Sequence, residues 1–226
     1  MEGLMRLKAM AKINLGLDVL GKREDGYHEV RMIMQTIRMY DILDIRKTRR
    51  PGIVLTTNLP FIPTDQRNLV YKAAQMLMEE FDVEEGLSIK LRKFIPVAAG
   101  MAGGSSDAAA AFVGVNRMFH LGLTEEQLME RAVKVGADVP YCIMRGTALA
   151  EGIGEKLTRL PEVPKCYVLI GKPGINVSTK TAYENLNLEG IGKHPDIDGL
   201  IGAIRNNDLY AMAYRMENVF EPGIIR

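Results

Sequence analysis

Between Leu7 and Val19 the apolar residues Leu7, Ala9, Ala11, Ile13, Leu15, Leu17 and Val19 fall on odd positions, with Arg6, Lys8, Lys12, Asn14 and Asp18 on even ones. A repeat of two is the mark of a strand with one face toward a core. It sets Lys12 and Asn14 on one polar face, about 7 Å apart by strand rise. They are either two groups reaching one ligand or part of a solvated face. Extended character resumes over Val30–Ile37 and Asp41–Arg46. The basic residues Arg46, Lys47, Arg49 and Arg50 then precede Pro51-Gly52, which reads as a solvated hairpin tip rather than a nucleic-acid patch. The period changes at Leu69, where Leu69, Val70, Ala73, Ala74, Leu77, Met78 and Phe81 make one helical face behind Asn68 as N-cap. Leu87, Ile89 and Leu91 alternate with Ser88, Lys90 and Arg92 to give a strand that delivers Lys93 to a Gly-rich segment.

That segment, Pro-Val-Ala-Ala-Gly-Met-Ala-Gly-Gly-Ser-Ser-Asp-Ala-Ala-Ala from Pro96 to Ala110, runs into an alanine-rich helical stretch. Gly100, Gly103 and Gly104 permit positive φ and close approach of a ligand, and Ser105 to Asp107 stand where the first amides of the helix point outward. Helix dipole and successive amides together suit a phosphate. The plain alternative is a flexible turn capped by Ser or Asp. No Gly-Lys-Ser/Thr closes the loop and the glycine spacing is not that of a dinucleotide fingerprint.

Thr124-Glu-Glu-Gln127 forms a capping box for a helix that stops at Gly136. Asp138 follows in Gly136-Ala-Asp-Val-Pro140, on a constrained turn, as a turn cap or as a functional carboxylate. Gly146–Glu151 and Cys166–Ile170 read as further strands, the second apolar throughout and therefore central. Gly152-Ile-Gly-Glu-Lys156 between them marks a seam between domains.

Composition narrows the choices. A chain of 226 residues that is 47% hydrophobic buries a real core, and 29 basic against 28 acidic residues leave a net charge of +1, with no global field for nucleic acid or an anionic membrane. Cys142 and Cys166 lack metal-ligand spacing and read as small core residues. Arg6, Lys8 and Lys12 break up the N-terminal apolar residues, so no signal segment or spanning stretch is expected. The expected location is the cytoplasm.

Four blocks occur in order: Ala11-Lys-Ile-Asn-Leu15, Asp25-Gly-Tyr-His28, Pro96 through Ala110, and Gly136-Ala-Asp-Val-Pro140. Together they resemble the GHMP kinases, the superfamily of galactokinase, homoserine kinase, mevalonate kinase and phosphomevalonate kinase. The first two blocks differ from those of sugar and mevalonate kinases. They point to a member whose small-molecule acceptor is methylerythritol linked to cytidine diphosphate, phosphorylated on its 2-hydroxyl. The resemblance implies an α+β, two-domain GHMP kinase fold. An N-terminal, ATP-binding domain like the second domain of ribosomal S5 covers 1–155, and a ferredoxin-like C-terminal domain covers 156–226. The latter is expected to be incomplete, because the family's third, Gly-rich motif has no counterpart before Arg226. The rival expectation is a catalytically impaired remnant that binds nucleotide, or a GHMP kinase for another alcohol.

Carried over by motif, Asp138 and Lys12 are the catalytic pair, and ATP with Mg2+ is the donor. The ATP-binding set is Pro96, Ala98, Gly100, Met101, Ala102, Gly103, Gly104, Ser105 and Ser106, with Asn68 and Lys93 around adenine and the phosphates. Asn14 lies near the transferring hydroxyl, and Tyr27, His28 and Tyr183 hold cytosine. No protein-held metal, nucleic-acid partner or membrane contact is implied.

Overall fold

The computed structural model describes residues 3–174, 182–183 and 185–221. Its contacts divide the chain into two units. The first holds Met1–Ala11, Ile37–Val97 and Met101–Met144, and the second Lys12–Thr36, Ala98–Gly100 and Arg145–Arg226. Two long strands belong partly to each, β1 (Met5–Lys22) and β2 (His28–Thr48). The units therefore run across the sequence division at 155/156.

The two extended runs read from the sequence, Val30–Ile37 and Asp41–Arg46, are one strand whose halves have different partners. Ile42 to Thr48 pair antiparallel with Arg92 to Gly86 of β4 (Gly86–Arg92), and Val30 to Gln35 pair antiparallel with Gly152 to Thr147 of β5 (Thr147–Gly152). The break in alternation marks the change of neighbour.

In the first unit β3 (Ile53–Thr57) runs parallel to β4, from Ile53↔Leu87 to Thr57↔Leu91. β4 thus separates β3 from β2, and the basic turn before β3 is not the tip of a hairpin. Parallel neighbours need a crossover, and α1 (Leu69–Glu80) supplies it, burying Val70, Ala73, Ala74, Leu77 and Met78. α2 (Gly103–Met118) packs on α1 and on α4 (Val139–Met144), which also contacts α3 (Glu125–Ala132). Small residues let α2 lie close to the strands. A Cβ on Gly114 would stand 2.5 Å from Ile45 Cδ1 and 2.7 Å from Leu7 Cδ1. The capping box at Thr124 forms with both hydrogen bonds in place.

In the second unit β5 pairs antiparallel with β6 (Lys156–Arg159), so Gly152–Lys156 is a tight hairpin turn and not a seam. Gly152 and Gly154 take φ of 73° and 108° there, which favours glycine. α5 (Ile197–Arg205) and α6 (Leu209–Arg215) build a core of Leu200, Ile201, Ile204 and Met212 against Leu15 and Ile33. β7 (Glu217–Asn218) pairs parallel with β1 at Gly16↔Glu217.

The strand expected at Cys166–Ile170 does not form. These residues have no assigned pairing, and Tyr167 and Leu169 are fully exposed, at 106% and 99%. Apolar composition alone marks a segment for burial but supplies no hydrogen-bonded neighbour. Cys142 is buried as expected, whereas Cys166 is exposed for the same reason as its neighbours.

Candidate active site

The exit of β4 is held at every step. Asn58 brackets Lys93, accepting from its N–H at 2.8 Å and donating to its carbonyl at 3.1 Å. Asp41 Oδ1 accepts from the amides of Phe94 at 2.5 Å and Ile95 at 2.8 Å. Lys93 Nζ donates to Asp41 Oδ2 and, at 2.6 Å, to Asp107 Oδ2, all within a buried cluster. Burial pushes the Asp107 carboxyl well above the usual carboxylate range, against the opposing pull of Lys93. Its Oδ1 is buried without a hydrogen-bond partner.

From Pro96 the chain loops to α2 with positive φ at Ala98 (53°), Gly100 (69°) and Ala102 (53°). Gly103 and Gly104, expected to take positive φ, are instead the first two residues of the helix. Gly103 packs closely, since a Cβ there would lie 3.1 Å from Lys93 Nζ and 3.2 Å from Ile95 Cγ2. The first amide with an intrahelical acceptor is that of Ser106, bonded to Ala102 O at 2.8 Å. The amides of Gly103, Gly104 and Ser105 precede it, at the positive end of the dipole. Asn68, Thr124, Asp196 and Asp208 cap their helices, whereas α2 has no side-chain cap.

The two serines differ. Ser105 is half-buried, while Ser106 is 99% buried, its hydroxyl donating to Met10 O at 2.7 Å and lying 3.4 Å from Cys142 Sγ. The amide of Ser106, expected among the free outward ones, is instead bonded to Ala102 O, and its hydroxyl is also used inside the first unit. Met101 is buried. Asn68 is also committed, accepting from Val70 N at 2.9 Å and donating to Pro63 O at 2.7 Å.

On β1, Lys12 is only 5% exposed and its Nζ donates to Asn14 Oδ1 at 3.1 Å, so the pair expected on one strand face is in direct contact. Asp138 is half-buried on the turn ahead of α4, its carbonyl accepting from Cys142 N at 3.1 Å. The turn reading is right. The following helix was hidden by Pro140, which is tolerated in a first helical turn.

Three rings meet in the second unit. His28 and Tyr183 have centroids 4.9 Å apart at 34°, and Phe220 meets the edge or face of Tyr183 at 4.8 Å and 75°. Tyr27 stands out at 59% exposure, its amide held by Asp25 Oδ1 at 3.0 Å. Phe220 was not singled out by sequence. Its place comes from β7, where Val219 N donates to Leu17 O at 3.0 Å and Phe220 N to Asn218 Oδ1 at 3.1 Å. Asp41 and Asn58 were also missed, since an isolated Asp or Asn beside a strand has no pattern that marks it.

Among the described residues no three His, Cys, Asp or Glu side chains cluster as metal ligands. Nor is any helix among them long and apolar enough to cross a membrane.

Residues 68–146, from the N-cap of α1 to the residue before β5, match the family described as GHMP kinases N terminal domain. The 4-diphosphocytidyl-2-C-methyl-D-erythritol kinase of Lachnospira eligens is 56% identical over 217 residues, 96% of this chain and 75% of that protein. The kinase of the same name from Lachnoclostridium phytofermentans is 55% identical over 99% of this chain and 77% of its own length. A crystal structure of 4-(cytidine 5'-diphospho)-2C-methyl-D-erythritol kinase superposes with a TM-score of 0.78 at 29% identity, covering 96% of this chain and 76% of that one. Homoserine kinase from Cytophaga hutchinsonii, at 19% identity and a TM-score of 0.72 over 98% of this chain and 74% of its own, shares the fold. With the GHMP kinase fold thus established, this chain belongs to the 4-diphosphocytidyl-2-C-methyl-D-erythritol kinase family.

Proposed function

We propose that the protein is an ATP-dependent kinase that phosphorylates the 2-hydroxyl of 4-diphosphocytidyl-2-C-methyl-D-erythritol, in the non-mevalonate route to isoprenoids. The observation that carries this reading is 56% identity, across 96% of the chain, to a kinase of that name.

In this reading the amides of Gly103, Gly104 and Ser105 receive ATP phosphates at the uncapped start of α2. Pro96, Ala98, Gly100, Met101 and Ala102 belong to the loop that leads into that helix start, with positive φ at Ala98, Gly100 and Ala102. Ser105 is the serine whose hydroxyl serves the nucleotide. Asn68 contributes by fixing the start of α1. Mg2+ accompanies ATP, for such a cation takes phosphate oxygens and one or two protein oxygens rather than a full protein cage. It would neutralise charge on the transferred group.

Asp138 orients the acceptor hydroxyl and takes its proton. A carboxylate is a weak base for an alcohol, but phosphoryl transfer has a loose transition state in which the proton leaves late, so position outweighs basicity. Lys12, steadied by Asn14, stabilises charge developing on the phosphoryl oxygens. Tyr27, His28 and Tyr183 bind cytosine by stacking and hydrogen bonds. The ATP-binding amides of α2 and Asp138 lie in the first unit, and Tyr27, His28 and Tyr183 in the second. Free cysteines and a near-neutral charge agree with a cytoplasmic enzyme.

The test is ADP release with a panel of alcohols: the cytidine diphosphate adduct of methylerythritol, mevalonate, phosphomevalonate and homoserine. Turnover of the adduct alone supports the proposal, and equal use of mevalonate overturns it.

A further inference from the structure

By motif, Lys93 is carried over as an ATP-binding residue around adenine and the phosphates, at the mouth of the Gly-rich loop. Its surroundings give it other work. The backbone is bracketed by Asn58, and the ammonium lies between two buried carboxylates, Asp41 of β2 and Asp107 of α2. Reaching a phosphate would strip both carboxylates of their cation inside the protein, which is strongly disfavoured. The ammonium also abuts the helix start, since a Cβ on Gly103 would come within 3.1 Å of it.

The two carboxylates are not equivalent. Asp41 accepts from Phe94 N, Ile95 N and Lys93 Nζ. Asp107 accepts from Lys93 Nζ alone and has one orphaned oxygen. One ammonium between two ionised carboxylates would leave a buried net negative charge, and a buried group sheds such charge by binding a proton. The carboxylate with fewer donors is the one that takes it. The upward push of burial on Asp107 agrees with this.

We infer that Asp41, Lys93 and Asp107 form a buried positioning unit that joins the exit of β4 to the first turn of α2, with Lys93 acting through that geometry rather than as a phosphate ligand and with Asp107 holding a proton. The unit sets where the amides of Gly103, Gly104 and Ser105 stand. The inference rests on the reading of those amides as the ATP phosphate site. It reassigns Lys93 from ligand to positioning residue.

The test varies ATP at saturating acceptor for wild type, D41N, K93M, the double variant D41N/K93M, D107N and N58A. Each of D41N and K93M should raise the KM for ATP roughly tenfold or more, with the KM for the acceptor held within about twofold. The double variant should be within about threefold of the worse single one, as for residues acting as a unit. D107N, whose amide is neutral like the protonated acid, should raise it less than about threefold. In the infrared difference spectrum between wild type and D107N, the wild type should show the carbonyl band of a protonated carboxylic acid. N58A leaves the ammonium and both carboxylates intact and disturbs only the Lys93 backbone, so a raised KM for ATP supports positioning even where D41N does not fold. Overturning results are a large loss in K93M with D41N and N58A at wild-type values, additive losses in the double variant, or no protonated-acid band. Absence of turnover by the wild type would instead overturn the functional reading. Calorimetric titration with a non-hydrolysable ATP analogue then reads the same ratios as dissociation constants and still decides the role of Lys93.

Discussion

Replacing Ser106 and Ser105 by alanine, one at a time, separates the two adjacent hydroxyls of the Gly-rich segment. Ser106→Ala removes a donor bonded to Met10 O at 2.7 Å from a site 99% buried. Deleting one partner of a buried hydrogen bond costs about 1–3 kcal/mol. For a chain of this size that is a fall of roughly 2–12 °C in Tm, at about 2–4 °C per kcal/mol. The KM for ATP should stay within about twofold, because the lost hydroxyl faces β1. Ser105→Ala should do the opposite. Its half-buried side chain stands at the open start of α2, and losing a hydrogen bond to a charged phosphate, about 1.5–3 kcal/mol, raises the KM for ATP roughly 10- to 150-fold. Its Tm should barely move, as for a surface substitution of under about 0.5 kcal/mol. Thermal melts and initial rates on both variants make the comparison. A Ser106→Ala variant with a raised KM for ATP and an unchanged Tm would refute the division of labour.

Three further outcomes are expected. Asp138→Asn should lower kcat by roughly 10²–10⁴-fold, the usual loss for a positioned base, with ATP binding by calorimetry nearly intact; a variant near wild-type kcat would make Asp138 only a turn residue. Phe220→Ala removes the ring packed on Tyr183 at 4.8 Å, and a pair of this kind, worth about 0.5–1.5 kcal/mol, should raise the KM for the cytidine-bearing acceptor roughly two- to tenfold while sparing that for ATP. Asp107 makes stability fall as pH rises: above an ordinary carboxylate pKa near 4 the unfolded chain has released a proton that the folded chain keeps. The decline runs from that pH up to the raised folded value, at up to about 1.4 kcal/mol per pH unit. Urea unfolding at a series of pH values should show it in wild type and not in D107N, and identical pH profiles for the two proteins would contradict it.

Local rules of the chain were legible wherever one face of an element decides its form. The alternation in β1, the Asn68 cap and apolar face of α1, and the capping box of α3 all followed from side-chain period and end chemistry. The family motifs implied the fold and the candidate site residues. Pairing partners were not legible, because hydrogen bonding between strands depends on where distant segments arrive. Hence β4 lies between β2 and β3, Gly152–Lys156 is a hairpin turn, and Cys166–Ile170 has no strand pairing among the described residues. In the loop, glycine suggested positive φ at Gly103 and Gly104, yet alanines at positions 98 and 102 carry it and Gly103 serves close packing. Nor does a serine announce which side of a helix its hydroxyl takes. Ser106 turned inward because α2 must be tied to β1. Residues 175–181, including part of the segment before Tyr183, lie outside the described residues.

The most direct test of the central claim is phosphorus NMR of a reaction containing the protein, MgATP and 4-diphosphocytidyl-2-C-methyl-D-erythritol. Loss of the γ-phosphate signal should be matched by a new phosphomonoester resonance coupled to the 2-position of the methylerythritol moiety, with the diphosphate bridge to cytidine unchanged. ATP left intact, or γ-phosphate lost to inorganic phosphate with no new phosphomonoester on the adduct, would contradict the account.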